Sequence, residues 1–181
     1  MYKEQLRQLL QNYEPTAEEQ SYKERMLAFL DAQDDCFDRE LACGHFTASA
    51  WLISRDLSKV LLMHHAKLGI WVQLGGHADG DSDLLEVAIR EAQEESGIID
   101  IEPITTQIFD IDIHTIPAKG LEPAHEHFDV RFLLRVASDE QPVKNAESKE
   151  LAWFGQDSSK LPTAERSVVR MFEKWQQLFE M

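Results

Sequence analysis

Gly76-His77-Ala-Asp-Gly80-Asp81-Ser82-Asp83-Leu-Leu85-Glu86-Val-Ala88-Ile89-Arg90-Glu91-Ala92-Gln-Glu94-Glu95-Ser96-Gly97-Ile98 crowds acidic side chains onto one short segment. The spacing predicts a helix from about Asp83 to Ser96. Asp83 is a good N-cap, with Glu86 three residues on as a capping-box partner. Gly97 is placed to close the helix in a left-handed turn, followed by the apolar Ile98. On such a helix Glu91, Glu94 and Glu95 fall at i, i+3 and i+4 and share one face. Leu85, Ala88, Ile89 and Ala92 form the neighbouring apolar stripe expected to dock on a core. Carboxylates so close repel and raise one another's pKa unless Arg90 or a cation compensates. An oxygen-rich anionic cluster suits Mg²⁺ or Mn²⁺. The simpler reading is a solvated acidic helix face.

The motif decides between them. The segment resembles the Nudix box, in which Gly, five residues, Glu and seven residues precede Arg-Glu-aliphatic-x-Glu-Glu-x-Gly-aliphatic. Counting from Gly76 reaches Ser82 and then Arg90-Glu91-Ala92-Gln93-Glu94-Glu95-Ser96-Gly97-Ile98, with every spacing kept. Two positions depart: Ser82 replaces the first Glu, and Ala92 is smaller than the usual aliphatic. In the family that first Glu braces the loop and the Arg, so its loss need not abolish hydrolysis. Asp81 and Asp83 are the nearest substitutes, each with a shorter side chain. The resemblance extends to Thr47-Ala-Ser-Ala-Trp51, Leu61-Leu-Met-His-His-Ala-Lys67 and Trp71-Val-Gln-Leu-Gly-Gly-His77 before the box, and to Glu147-Ser-Lys-Glu-Leu-Ala-Trp153-Phe154 after it.

Around this segment the chain reads as α/β. Leu6, Leu9, Leu10 and Tyr13 recur at helical spacing. Pro15 interrupts, and Thr16-x-x-Glu19 restarts a helix carrying Tyr22, Met26, Phe29 and Leu30. This N-terminal helical extension, residues 1–40, is expected to pack on the domain formed by 41–181, with a homodimer contact as the alternative. Strands are expected over Thr47–Ile53, Lys59–Met63, Ile70–Leu74, Phe109–His114, Phe128–Val136 and Glu150–Phe154, where apolar residues alternate with polar ones or cluster in short runs. Pro162-Thr163 is placed to cap a final helix bearing Val168, Phe172, Trp175 and Phe179. The resemblance implies a Nudix-type α/β/α sandwich with a mixed β-sheet, to which the helical spacing of the first forty residues adds two N-terminal helices.

A chain of 181 residues fits a single domain, and 43% hydrophobic with 28% charged residues is ordinary for a soluble globular protein. The apolar runs are too short to span a bilayer, and the first residues lack a signal-peptide core, so no membrane partner and a cytoplasmic location are expected. A net charge of −15 argues against general nucleic-acid binding. It leaves room for a small phosphorylated nucleotide bridged to the protein by divalent metal. Cys36 and Cys43 have no metal-site spacing and read as structural.

The resemblance implies metal-dependent hydrolysis of a nucleoside diphosphate linked to another moiety, for example ADP-ribose, a nucleotide sugar or a nucleoside triphosphate. It assigns Glu91, Glu94 and Glu95 as Mg²⁺ or Mn²⁺ ligands, with the Gly75 carbonyl as a further ligand. Arg90 braces them. Glu91 or a loop carboxylate, with Glu147 the preferred loop candidate, is the base that deprotonates water. His77, Lys67 and Arg131 are candidates for contact with substrate phosphate, against bland roles as loop or surface residues. Trp51, Phe46, Trp71 and Trp153 could stack a base, although aromatics on strands are more often core. His125-x-His127 with His114 could converge on a transition metal, the ordinary alternative being polar strand-edge residues. The rival from another class is a Nudix-fold protein that binds a nucleotide without cleaving it, which Ser82 favours and the intact Arg90, Glu91, Glu94 and Glu95 oppose.

Overall fold

The computed structural model describes residues 2–121, 123–139 and 141–179. In chain order the elements are α1 (Tyr2–Asn12), α2 (Gln20–Ala32), β1 (Gly44–Ile53), β2 (Lys59–His65), β3 (Trp71–Val72), β4 (Leu74–His77), α3 (Leu84–Ser96), β5 (Ile101–Pro103), β6 (Asp110–Ile116), β7 (His125–Val136), β8 (Ser148–Gly155), a short 3-10 turn (Ser158–Lys160) and α4 (Arg166–Phe179). The fold is mixed α/β, with four α-helices among the described residues, as the sequence pattern predicts. No described helix is long and apolar enough to cross a membrane. The chain divides into two compact units, drawn from Met1–Ser49, Gly76–Ala88 and Thr106–Phe132 and from Ala50–Gly75, Ile89–Thr105 and Leu133–Met181.

In the first unit, α1 and α2 bury Leu6, Leu10, Met26 and Leu30. The Thr16/Glu19 pair forms as a turn that precedes the helix. Glu19 Oε2 accepts from the Thr16 backbone N–H at 2.9 Å and from Thr16 Oγ1 at 2.7 Å, but α2 starts only at Gln20. The delay has a cause: Glu19 is fully buried, and its other oxygen accepts from Tyr13 Oη at 2.5 Å and from the Ile111 N–H of β6 at 3.2 Å. Phe29 of α2 stacks on Phe128 of β7 at 4.0 Å between ring centroids. Glu19 and Phe29 thus join α2 and the turn before it to β6 and β7 of the same unit.

Strands β6 and β7 run antiparallel, with Asp110 opposite Arg131, Asp112 opposite Asp129 and His114 opposite His127. The alternation that predicts these strands is present, but the polar face is not solvated. Asp110, Asp112, Asp129 and Arg131 are all buried. The charges are tolerable because they are paired: Arg131 meets Asp129 at 2.7 Å, Asp110 at 3.0 Å and Asp112 at 3.3 Å. Burial works against the guanidinium charge, and the three carboxylates outweigh it and raise its pKa. Thr47 and Ser49 of β1 donate to Asp129 at 2.9 Å, satisfying its remaining lone pairs.

In the second unit β2 pairs antiparallel with β8 from Lys59↔Gly155 to His65↔Ser148, and with β3 at Met63↔Val72. β5 pairs with the end of β7, Ile101↔Val136. This three-residue strand ending in Pro103 has too little pattern to predict. The expected Ile70–Leu74 strand is two pieces, β3 and β4, separated at Gln73. In α4 Val168, Met171, Phe172 and Trp175 are buried, with Trp175 edge-on to Trp51 at 6.3 Å. Phe46 and Trp51 are wholly buried core side chains, not base-stacking surfaces. Cys36 is buried and Cys43 exposed, both free thiols, and burial pushes the Cys36 pKa up to about 11.

Candidate active site

Helix α3 follows its sequence signals closely at both ends. Asp83 Oδ1 accepts from the Glu86 N–H at 3.3 Å, the N-cap geometry expected. Asp81 Oδ1 in turn accepts from the Asp83 N–H at 3.0 Å. The two aspartates nearest Ser82 are therefore engaged in the loop's own hydrogen bonds. At the other end Gly97 adopts φ 71° and returns its N–H to the Gln93 carbonyl at 2.8 Å. That left-handed conformation is why glycine stands there.

The buried face differs from the predicted stripe. Leu84, Val87, Ala88 and Ala92 are buried, while Leu85 and Ile89 are only half-buried. The helix is rotated so that its buried side continues onto Glu95, which is 5% exposed. Its carboxylate accepts from the Gly75 backbone N–H at 2.8 Å, tying α3 to the glycine pair of β4. Glu91 is half-buried and Glu94 exposed. Burial, opposed by the Gly75 hydrogen bond and aided by the charges of Glu91, Glu147 and Glu94, pushes the Glu95 pKa up to about 8. One partly desolvated carboxylate among three others is an arrangement that a divalent cation would relieve, and all the donors are oxygens.

Glu147 reaches this neighbourhood through the loop that covers the end of α3. The last helical carbonyls need partners outside the helix. The Val143 N–H donates to Ser96 O at 2.6 Å and Asn145 Nδ2 to Glu94 O at 3.3 Å. Asn145 Oδ1 then accepts from the Glu147 N–H at 2.9 Å. The Glu147 carbonyl accepts from the Ala66 N–H at 2.8 Å, which joins the loop to the end of β2. Gly75, Glu91, Glu94, Glu95 and Glu147 therefore belong to one unit, and Arg90 lies half-buried on the same helix.

The remaining candidates are placed elsewhere. Arg131 is 2% exposed and held by three aspartates, so its guanidinium is a structural charge and is not presented to a ligand. Lys67 is exposed in the turn after β2, where its N–H donates to His65 Nδ1 at 3.2 Å. His77 sits with His45 and His127, their ring centroids 4.7–5.1 Å apart. His45, in Gly44-His45-Phe46, is not a candidate on sequence grounds, because a single histidine before an apolar strand carries no spacing signal. His114 lies at the edge of that group, 5.3 Å from His127 between ring centroids and 3.6 Å from Asp112. Burial first, then the neighbouring histidines, lower the pKa of His45 to about 4 and of His127 to about 2. A shallow hollow of about 510 Å³ lined by Arg55, Lys59, Ser138 and Trp153 contains none of the box carboxylates.

Comparisons with known proteins agree with this fold. The sequence profile of the NUDIX domain matches residues 45–175. A search of curated proteins by sequence gave no match. Among solved structures, a NUDIX-family hydrolase from Clostridium perfringens is 29% identical, with a TM-score of 0.54 over 74% of this chain and 97% of its own. The Nudix hydrolase RenU from M. smegmatis is 25% identical, with a TM-score of 0.52 over 76% and 85%. A C. elegans Ap4A hydrolase, at 16% identity, shares the fold with a TM-score of 0.60 over 75% and 97%. With its helix caps, glycine pair and carboxylate cluster in place, the chain belongs to the NUDIX family and is a Nudix hydrolase.

Proposed function

We propose that this hydrolase uses Mg²⁺, or Mn²⁺, to cleave the diphosphate linkage of a nucleoside diphosphate joined to another moiety, such as ADP-ribose, a nucleotide sugar or a nucleoside triphosphate. The observation that carries the reading is Glu95, a buried carboxylate fixed by Gly75 and pushed towards protonation by burial and by Glu91, Glu147 and Glu94. A divalent ion bound there would neutralise diphosphate charge and acidify a water for attack on phosphorus.

In this reading Glu91, Glu94, Glu95 and the Gly75 carbonyl hold the ion. The hydrogen bond from Gly75 to Glu95 sets the distance between loop and helix before any ligand arrives, so little reorganisation is required on binding. Arg90 stands four residues from both Glu86 and Glu94, and its planar fork restrains the carboxylates. Glu147 accepts the proton from water. It is exposed, it carries its charge close enough to act on Glu95, and its loop is anchored to α3 by Asn145. Lys67, exposed in its turn, would supply a mobile point charge for the distal phosphate of an entering ligand.

The test is product release from a panel of nucleoside diphosphate derivatives with Mg²⁺, Mn²⁺ or EDTA. Metal-dependent cleavage of a panel member, lost in Glu94→Gln, is the expected result. Turnover that survives EDTA, or full activity in both Glu94→Gln and Glu95→Gln, would overturn the assignment. Nucleotide binding without cleavage under every metal would favour the non-catalytic reading that Ser82 suggests.

A further inference from the structure

The first unit contains a histidine cluster that the hydrolase chemistry does not use. His45 is the second residue of β1, His77 the last of β4, and His125 and His127 the first and third of β7. Gly44 makes the approach of β1 to β7 close: with φ 141°, it lies where a Cβ would collide with the Glu126 carbonyl. The result is that the ligand nitrogens of His45, His77 and His127 all lie within 4.8 Å of one another. His45 is 1% exposed, and neither of its ring nitrogens has a hydrogen-bond partner among the described residues. Leaving a buried polar group unsatisfied is unfavourable, and native structures rarely do so without a reason.

His125 supplies a second, independent observation. Its Nδ1 lies 3.0 Å from the Pro123 carbonyl, which can only accept, so Nδ1 carries the proton and Nε2 presents a lone pair. That Nε2 accepts a hydrogen bond from His127 Nε2 at 3.3 Å, a spacing that a shared metal would also impose once the intervening proton is lost. Two nitrogens bound to one tetrahedral Zn²⁺ at about 2.0–2.1 Å are themselves about 3.3–3.4 Å apart. Donation of the other ring N–H to a backbone carbonyl is also how ligating histidines are commonly oriented.

We propose that His45, His77 and His127, with His125 as fourth donor, bind one Zn²⁺ at a site made of different residues from the box carboxylates. An all-imidazole donor set selects a borderline metal such as zinc over Mg²⁺ or Ca²⁺, which take oxygen ligands. Four protein donors fill a tetrahedral shell, so the ion is structural: it fastens the starts of β1 and β7 to the end of β4. This proposal does not rest on the hydrolase reading.

The experiment uses the full chain, without an affinity tag, stripped with chelator and titrated with Zn²⁺ against a fluorescent zinc chelator in excess Mg²⁺. One tight equivalent is expected in the wild type. His127→Gln and His45→Gln should each weaken it by at least about 100-fold, since loss of groups that merely orient a ligand already reaches about 10–100-fold. His64→Gln, on a histidine stacked against Trp71, and Glu94→Gln should leave it unchanged. No tight equivalent in the wild type, or wild-type affinity in a folded His127→Gln, would overturn the site. Should His45→Gln fail to fold, Co²⁺ substitution of the wild type decides: intense tetrahedral visible bands support the site, and weak octahedral bands refute it.

Discussion

Replacing Glu95 by glutamine should make the metal-free protein more stable at neutral pH while abolishing its response to Mg²⁺. Glu95 has an ordinary pKa of 4.5 and a folded value of about 8. Between those values the native state retains a proton that the unfolded chain has released, so stability falls as pH rises through the window. At pH 7 the cost relative to acid conditions is about 2.5 pH units, or about 3 kcal/mol as an order of magnitude. The amide of the Glu95→Gln variant would keep an oxygen for the Gly75 N–H at the present 2.8 Å and would carry no charge to desolvate. For a domain of this size, about 3 kcal/mol corresponds to a rise in Tm of about 6–12 °C. Thermal unfolding of chelator-treated wild type and Glu95→Gln, followed by circular dichroism from pH 5 to pH 8, measures the effect. The wild-type midpoint should fall with pH relative to the variant, and added Mg²⁺ should restore the wild type alone. Parallel curves for the two proteins across that range would refute the reasoning.

Other perturbations test separate parts of the structure. Arg131→Met leaves Asp110, Asp112 and Asp129 buried without their shared cation, and should cost about 3–5 kcal/mol in urea unfolding. Gly97→Ala forces a side chain into φ 71° with its Cβ 3.2 Å from the Val143 carbonyl, and should lose about 1–2 kcal/mol by the same assay. Glu147→Gln should lower kcat by about 100-fold or more with KM little changed if that residue accepts the proton, and an unaltered kcat would remove it from the chemistry. Ser82→Glu should keep or raise turnover, because Asp81 and Asp83 are already engaged in loop hydrogen bonds and leave the bracing role open.

The local features of this protein are largely legible in its sequence, and the long-range ones are not. Asp83, Glu86 and Gly97 mark the ends of α3 because caps depend on residues three or four apart. The strands around the box follow from alternation, with ends displaced by a few residues. The rotation of α3 onto Glu95 is invisible, since Leu85 and Ile89 are as apolar as Leu84 and Val87. Arg131 reads as a surface residue for a similar reason: alternation separates two faces of a strand but does not say that both are covered. The three aspartates that hold it lie on β6 and β7, and only their register brings Asp110 opposite Arg131. The histidine cluster needs β1, β4 and β7 to meet at their ends, a coincidence that no spacing within one element encodes.

The two compact units are each stitched from three separated stretches of chain, and this has a consequence for how the protein is made. The first requires residues as far along as Phe132, and the second as far as α4, so neither is a contiguous piece that could finish folding as it leaves the ribosome. The Glu19 carboxylate waits for the Ile111 N–H, 92 positions later, and Phe29 for Phe128. Contacts so distant in sequence close late and slowly. Until they close, Glu19 and Phe29 lack the strand partners that cover them in the folded chain. The nascent chain is therefore most prone to aggregation over its first half, and a stop codon or proteolytic cut anywhere before β7 leaves a fragment with no half-sized domain to fall back on.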